Sequence, residues 1–220
     1  MAVNSLYFLP FLLVLFVVYF TVCPLKYRWV VLLAGSVFFY VTACAASPVY
    51  ILVTGIVIWA AGICVERCEA KLARYQEECR DIAKAQRKQA EARCKKQKKR
   101  IVTAAVLINL GILTVLKYGG LLGGMLNGML LFTGHSLPTP QFLVPLGISY
   151  YTLISIGYLI DIYKGKTKVQ RNFLKVMLFL SFFPQITQGP LSRYRQLGGQ
   201  LYEGHAYDYH NLSFGCQRML

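Results

Sequence analysis

Residues 142–163 read FLVPLGISYYTLISIGYLIDIY, 22 residues with a single charged side chain, Asp161, near the far end. As an α-helix rising 1.5 Å per residue, this stretch reaches about 33 Å, enough to cross a hydrocarbon core of about 30 Å. Moving outward in both directions, the same kind of block recurs at residues 6–22, 29–46, 49–65, 101–118 and 172–188. Pro10 and Pro184 fall inside two of these blocks, which membrane helices tolerate when neighbouring groups satisfy the freed carbonyl. Hydrophobic residues make up 56% of the 220 residues. A soluble domain averages about 45–50%. The mean hydropathy is +0.47. In water, blocks of this kind would need a larger core than 220 residues can wrap. The expected fold class is therefore all-α, a polytopic transmembrane helical protein.

Between the third and fourth blocks the composition changes abruptly. Residues 66–100 hold 13 basic and 6 acidic side chains and neither Gly nor Pro. Ala, Lys, Arg, Gln and Glu dominate, all good helix formers. Pairs such as Arg74/Glu78 and Glu91/Lys95 stand one helical turn apart. No sustained apolar heptad runs through the segment, which argues against a coiled coil. Two readings stand: a solvated helix or helical hairpin, or a surface for anionic lipid headgroups or an acidic partner. The formal charge of +15 is concentrated here. No folded polar module accompanies it, so a nucleic-acid-binding protein is not expected.

The remaining segments complete the layout. Residues 119–141 carry glycines at 119, 120, 123, 124 and 128, and a re-entrant or interfacial segment is expected there. The layout is three N-terminal transmembrane helices over 1–65, a basic helical segment over 66–100, and about three membrane segments plus the Gly-rich one over 101–220. Lys and Arg counts in the loops set the orientation. With the N-terminus outside, Lys26 and Arg28, the basic segment, and the group Lys164, Lys166, Lys168 and Arg171 all fall on the cytoplasmic side. Residues 1–20 lack a basic leader and a small-residue cleavage site, so they read as a retained first helix. The expected location is the cell membrane, multi-pass.

Chemistry-bearing residues are few. The seven cysteines have irregular spacing and no CxxC, and they are expected to be reduced, with neither a disulfide framework nor a metal site. Asp161 sits three residues before Lys164; it is either a carboxylate paired with a loop lysine or a residue lining a polar cavity. Residues 182–194, FFPQITQGPLSRY, put two glutamines, a threonine and two prolines at the end of an apolar helix. That is either a simple helix end or the wall of a cavity or tunnel. His135, His205 and His210 match no metal-binding spacing, and His205 and His210 read as loop residues.

Three stretches resemble signatures of the membrane-bound O-acyltransferase family. They are VPLGISYYT at 144–152 followed by GYLIDIYK at 157–164, FFPQITQGPLSRY at 182–194, and NLGIL at 109–113 followed by LKY at 116–118. The branch resembled holds alginate O-acetyltransferases and the membrane subunit of teichoic-acid D-alanylation. The resemblance implies a helical ring around a tunnel. It also implies transfer of an acetyl or other small acyl group from a cytoplasmic thioester donor to a hydroxyl of an extracytoplasmic polysaccharide or cell-wall polymer. By the same resemblance, Asp161, Pro184, Gln185, Gln188, Gly189, Pro190, Arg193 and Tyr194 shape the tunnel or its cytoplasmic mouth. No catalytic residue matches, because the family's histidine lies in an apolar helix downstream and is expected beyond Leu220. The expectation is therefore an N-terminal fragment that is inactive alone. Implied partners are the lipid bilayer and an acyl carrier protein or partner acetyltransferase. The co-substrate is an acyl thioester, with no bound cofactor. The competing readings are a polytopic transporter component, from the broken and Gly-rich segments, and a non-catalytic membrane scaffold that binds an acyl carrier protein.

Overall fold

The computed structural model describes residues 8–43, 48–78, 84–130, 147–188, 192–204, 208–210, 213 and 217. Every regular element among them is helical. Helix α1 (Phe8–Val17) runs into a π-helical turn (Val18–Val22), and a short 3-10 turn (Leu25–Tyr27) leads into α2 (Arg28–Ala43). Helices α3 (Pro48–Glu78), α4 (Lys84–Leu130), α5 (Ile148–Tyr163), α6 (Phe173–Ser181), α7 (Phe183–Gln188) and α8 (Tyr194–Tyr202) follow.

The surface is inverted relative to a protein built for water. Leu9, Leu13, Leu107 and Leu121 point outward with more than half their surface exposed, while Ser36, Thr54, Asn109, Thr152, Ser155, Ser181 and Gln185 are buried. Two of these hydroxyls close bonds on their own helix: Thr152 Oγ1 donates to the Ile148 carbonyl and Ser155 Oγ to the Thr152 carbonyl. Asn109 Nδ2 likewise donates to the Ala105 carbonyl at 2.8 Å. Outward leucines and inward hydroxyls suit lipid as the solvent. Among the described residues, three helical stretches are long and apolar enough to cross a bilayer: Leu25–Thr42, Pro48–Glu77 and Gln86–Leu121. Phe8–Val22 and Phe173–Gln185 are shorter apolar helices. The protein is a membrane protein.

The basic segment is no separate unit. Its described residues, 66–78 and 84–100, form the polar ends of α3 and α4, each continuous with an apolar span, and the two arms pack antiparallel. Gln76 Nε2 donates to Glu91 Oε1 at 2.9 Å and Lys98 pairs with Glu69, which fixes the register. At the other end α4 continues without interruption through residues 119–130, so the Gly-rich stretch is not set off from the fourth block within the described residues. Residues 131–141 lie outside them.

Helices α3, α4, α5 and α6 share one core. Ile58 and Val65 of α3, Ala105 of α4, Tyr158 and Leu159 of α5, and Leu178 and Phe179 of α6 meet in it. A second cluster joins Tyr40, Ile51, Leu116, Tyr151 and Met177 toward the opposite end. Helix α1 lies on α2 through aromatic contacts, with Phe11 5.8 Å from Phe38 and 5.7 Å from Phe183. Arg28 is buried against the end of the π turn, where its guanidinium donates to the carbonyls of Cys23 and Phe20. That places a cation on the orphaned carbonyls of a helix C-terminus.

The last apolar block splits in two. Helix α6 opens on Asn172, whose side chain accepts from the Leu174 N–H at 3.0 Å. It ends at Phe182, whose ψ of 107° leaves the helical region. Pro184 explains the break: it has no N–H for the carbonyl four residues back and its ring crowds that carbonyl. The chain restarts with the Gln185 N–H donating to the Phe182 carbonyl.

Candidate functional site

An open cleft of about 450 Å³ lies between the C-terminal half of α5 and the start of α8. Leu153, Ile154, Gly157, Tyr158, Ile160 and Asp161 form its wall on α5, Lys164 and Lys166 its rim, and Ser192, Arg193 and Tyr194 the opposite side. Asp161 and the Ser192–Arg193–Tyr194 run, distant in sequence, thus meet in one place. Three cations and one carboxylate line it, and none of the ion pairs among the described residues includes Asp161. Asp161 and Lys164 both line this cleft.

Local backbone chemistry aims the rim. Helix α5 stops at a Schellman turn: the Lys166 N–H donates to the Asp161 carbonyl and the Gly165 N–H to the Ile162 carbonyl. Gly165 has φ of +67°, a conformation side-chain-bearing residues avoid. This reversal presents Lys164 and Lys166 to the cleft.

Aromatic packing holds the far side. The Tyr194 ring lies 4.6 Å from Tyr158 and 4.9 Å from Phe179. Gln170 bridges them: its backbone N–H donates to the Tyr158 hydroxyl at 3.0 Å and its Nε2 to the Tyr194 hydroxyl at 3.4 Å. At the end of α8 the Tyr202 hydroxyl donates to the Lys175 carbonyl, and the Lys175 ammonium stands 4.9 Å from the Tyr202 ring. The loop after α5 is tied to α3, where Arg171 makes two hydrogen bonds to Glu66 Oε1 and the Trp59 indole N–H donates to the Arg171 carbonyl.

The structure therefore brings together Asp161, Arg193 and Tyr194 from the expected site residues. Pro184 is elsewhere, exposed in a groove of about 250 Å³ formed with α1 and α2 residues such as Leu12, Phe16 and Leu32. Gln185 is buried, and its Oε1 has no hydrogen-bond partner among the described residues. Gln188 ends α7 with its side chain outside the described set, and Gly189 and Pro190 lie wholly outside it. Lys164, Lys166 and Ser192 also line the cleft. In the sequence the two lysines stand out only as loop charges; a glycine between two lysines directly after an apolar block is the signal that could have found them. His210 is exposed, and its backbone N–H donates to Asp208. His135 and His205 lie outside the described residues.

No family model and no solved structure matches the chain. Curated proteins do. The chain is 28% identical over 229 aligned residues to a probable alginate O-acetylase of Azotobacter vinelandii, covering all of this chain and 40% of that protein. It is 27% identical over 136 residues to a peptidoglycan O-acetyltransferase of Helicobacter pylori, covering 50% of this chain and 25% of the relative. It is 45% identical over 51 residues to a teichoic acid D-alanyltransferase of Lacticaseibacillus rhamnosus, covering 23% of this chain and 12% of the relative. The chain spans less than half the length of each of these relatives. They share acyl transfer to a polymer and match a chain whose helices suit lipid and whose motifs converge on one cleft. Over the residues matched, the chain is similar to O-acyltransferases that the relatives' names assign to polysaccharide and cell-wall polymers.

Proposed function

We propose that the protein acts in transfer of an acetyl or other small acyl group from a cytoplasmic thioester donor to a hydroxyl of an extracytoplasmic polysaccharide or cell-wall polymer. In that reaction the acyl carbon loses its bond to sulfur and gains one to the acceptor oxygen. The acceptor proton ends on the released thiol. The observation that carries the reading is the convergence of Asp161 and the Ser192–Arg193–Tyr194 run on one cation-rimmed cleft at the polar end of α5. Acyl thioester carriers are commonly phosphorylated and anionic, and Lys164, Lys166 and Arg193 offer the complementary charge. With the N-terminus outside, this cleft and the basic α3–α4 arms share the cytoplasmic side, where an acidic acyl carrier protein or a partner acetyltransferase would dock. No residue of this chain is assigned a role in bond-making. Asp161, Arg193 and Tyr194 bind and position.

The test uses membranes containing the encoded protein, radiolabelled acetyl-coenzyme A, and alginate as acceptor. One charged hydrogen bond contributes about 1.5–3 kcal/mol, so Arg193→Ala should lower labelling at subsaturating donor by roughly 10–100-fold. Excess donor should recover most of that loss. Wild-type donor dependence in both Arg193→Ala and Lys166→Ala would overturn the proposal.

A further inference from the structure

Cys68 on α3 and Cys94 on α4 meet where the polar arms pack, their sulfurs 3.5 Å apart. The Cys94 sulfur also lies 3.4 Å from the Cys68 carbonyl oxygen, and the Cys68 sulfur 3.2 Å from Gln97 Oε1. Cys94 is buried, whereas Cys68 is half-buried and borders an open groove of about 440 Å³ with Arg67, Lys71 and Arg100. The Lys98–Glu69 pair beside the sulfurs and the Gln76–Glu91 bond farther along the arms prevent one helix from sliding past the other. A disulfide requires the sulfurs about 2.04 Å apart, so about 1.5 Å must be closed. Rotation about the two χ1 bonds between staggered wells moves sulfurs on that scale.

We propose that Cys68 and Cys94 form a reversible oxidation site, closing an intramolecular disulfide across the α3–α4 hairpin with hydrogen peroxide as oxidant. The Cys68 thiolate attacks one peroxide oxygen and the O–O bond breaks, giving a sulfenic acid and a hydroxide that takes up the proton Cys68 released and leaves as one water. The Cys94 sulfur then displaces hydroxide from the sulfenic sulfur, and that hydroxide leaves as a second water with the Cys94 proton. Two thiols and one peroxide give one disulfide and two waters. The order follows from access. Burial pushes the Cys94 thiol above its ordinary pKa, and the Cys68 sulfur adds to that. Cys94 therefore stays protonated while Cys68 faces the groove. Reduced thiols remain the resting state in a reducing compartment, and the disulfide would be transient there. Residue spacing could not reveal the pair, because the two cysteines are 26 positions apart and meet only through the hairpin register.

The experiment treats the purified protein in detergent micelles with hydrogen peroxide, then denatures, alkylates, digests and maps it by mass spectrometry. The expected result is a peptide joining Cys68 to Cys94 and two fewer alkylated thiols, both restored by dithiothreitol. Cys64→Ser should leave the link intact, and Cys94→Ser should leave Cys68 as a sulfenic acid trapped by dimedone. The proposal is overturned if both cysteines of the oxidised wild type are still fully alkylated. It is equally overturned if Cys68 is joined instead to Cys64 or to a second chain.

Discussion

Tyr194→Ala should release α8 from the body of the protein and open the cleft, while Tyr194→Phe should leave both nearly unchanged. Tyr194 is buried, and its ring packs against Tyr158, Phe179 and Tyr202 at centroid distances of 4.6, 4.9 and 6.2 Å. Truncating a buried aromatic to alanine costs about 3–5 kcal/mol, part from lost transfer energy and part from the cavity left behind. The hydroxyl contributes much less. Its contact with Gln170 Nε2 is long, 3.4 Å, and a neutral hydrogen bond adds only about 0.5–1.5 kcal/mol. Helix α8 has nine residues and few other anchors, chiefly Leu201 in the core and Tyr202 on Lys175. The loss should therefore appear as local opening of α8. At 1.4 kcal/mol per decade, about 3 kcal/mol raises amide exchange across residues 194–202 roughly a hundredfold. Hydrogen-exchange mass spectrometry in detergent reads this directly, with the α3–α5 peptides as internal controls. Unchanged exchange over α8 in Tyr194→Ala would refute the packing argument. An effect of Tyr194→Phe as large as that of Tyr194→Ala would transfer the anchoring role to the hydroxyl.

Other substitutions probe the turns that aim the site. Gly165→Ala should cost about 1–2 kcal/mol, because alanine resists the left-handed backbone at φ of +67°; a lowered detergent melting temperature with Gly165→Asn less affected is the expected pattern, and equal melting of all three proteins would refute it. Gly204→Ala should destabilise more than Gly199→Ala. A Cβ on Gly204 runs into the Leu25 backbone, its carbonyl carbon only 2.8 Å away, whereas one on Gly199 meets nothing within 4 Å. Limited proteolysis after α8 distinguishes them, and similar cleavage rates would contradict the close approach of Gly204 to Leu25.

Much of the candidate site was legible as residue types and little of it as an assembly. Asp161, Arg193 and Tyr194 stood out because a carboxylate and a polar run at the ends of apolar blocks are costly without a use. Their meeting depends on the Schellman turn after Tyr163 and on Tyr194 seating between Tyr158 and Phe179, and neither contact leaves a periodic trace. Pro184 shows the converse. It belongs to the same sequence run as Arg193, yet the helix break it causes turns it toward α1 and away from the cleft.

The sequence by itself determined that lipid is the solvent, that the structure is helical, and where the basic segment begins and ends. Those outcomes depend on transfer energies and backbone hydrogen bonding, which accumulate residue by residue along the chain. The tertiary structure alone decided that 66–78 and 84–100 continue two membrane helices rather than standing apart, that Asp161 and Arg193 line one cleft, and that Cys68 touches Cys94. Each of these depends on the register between packed helices, a relation between distant residues set by side-chain fit.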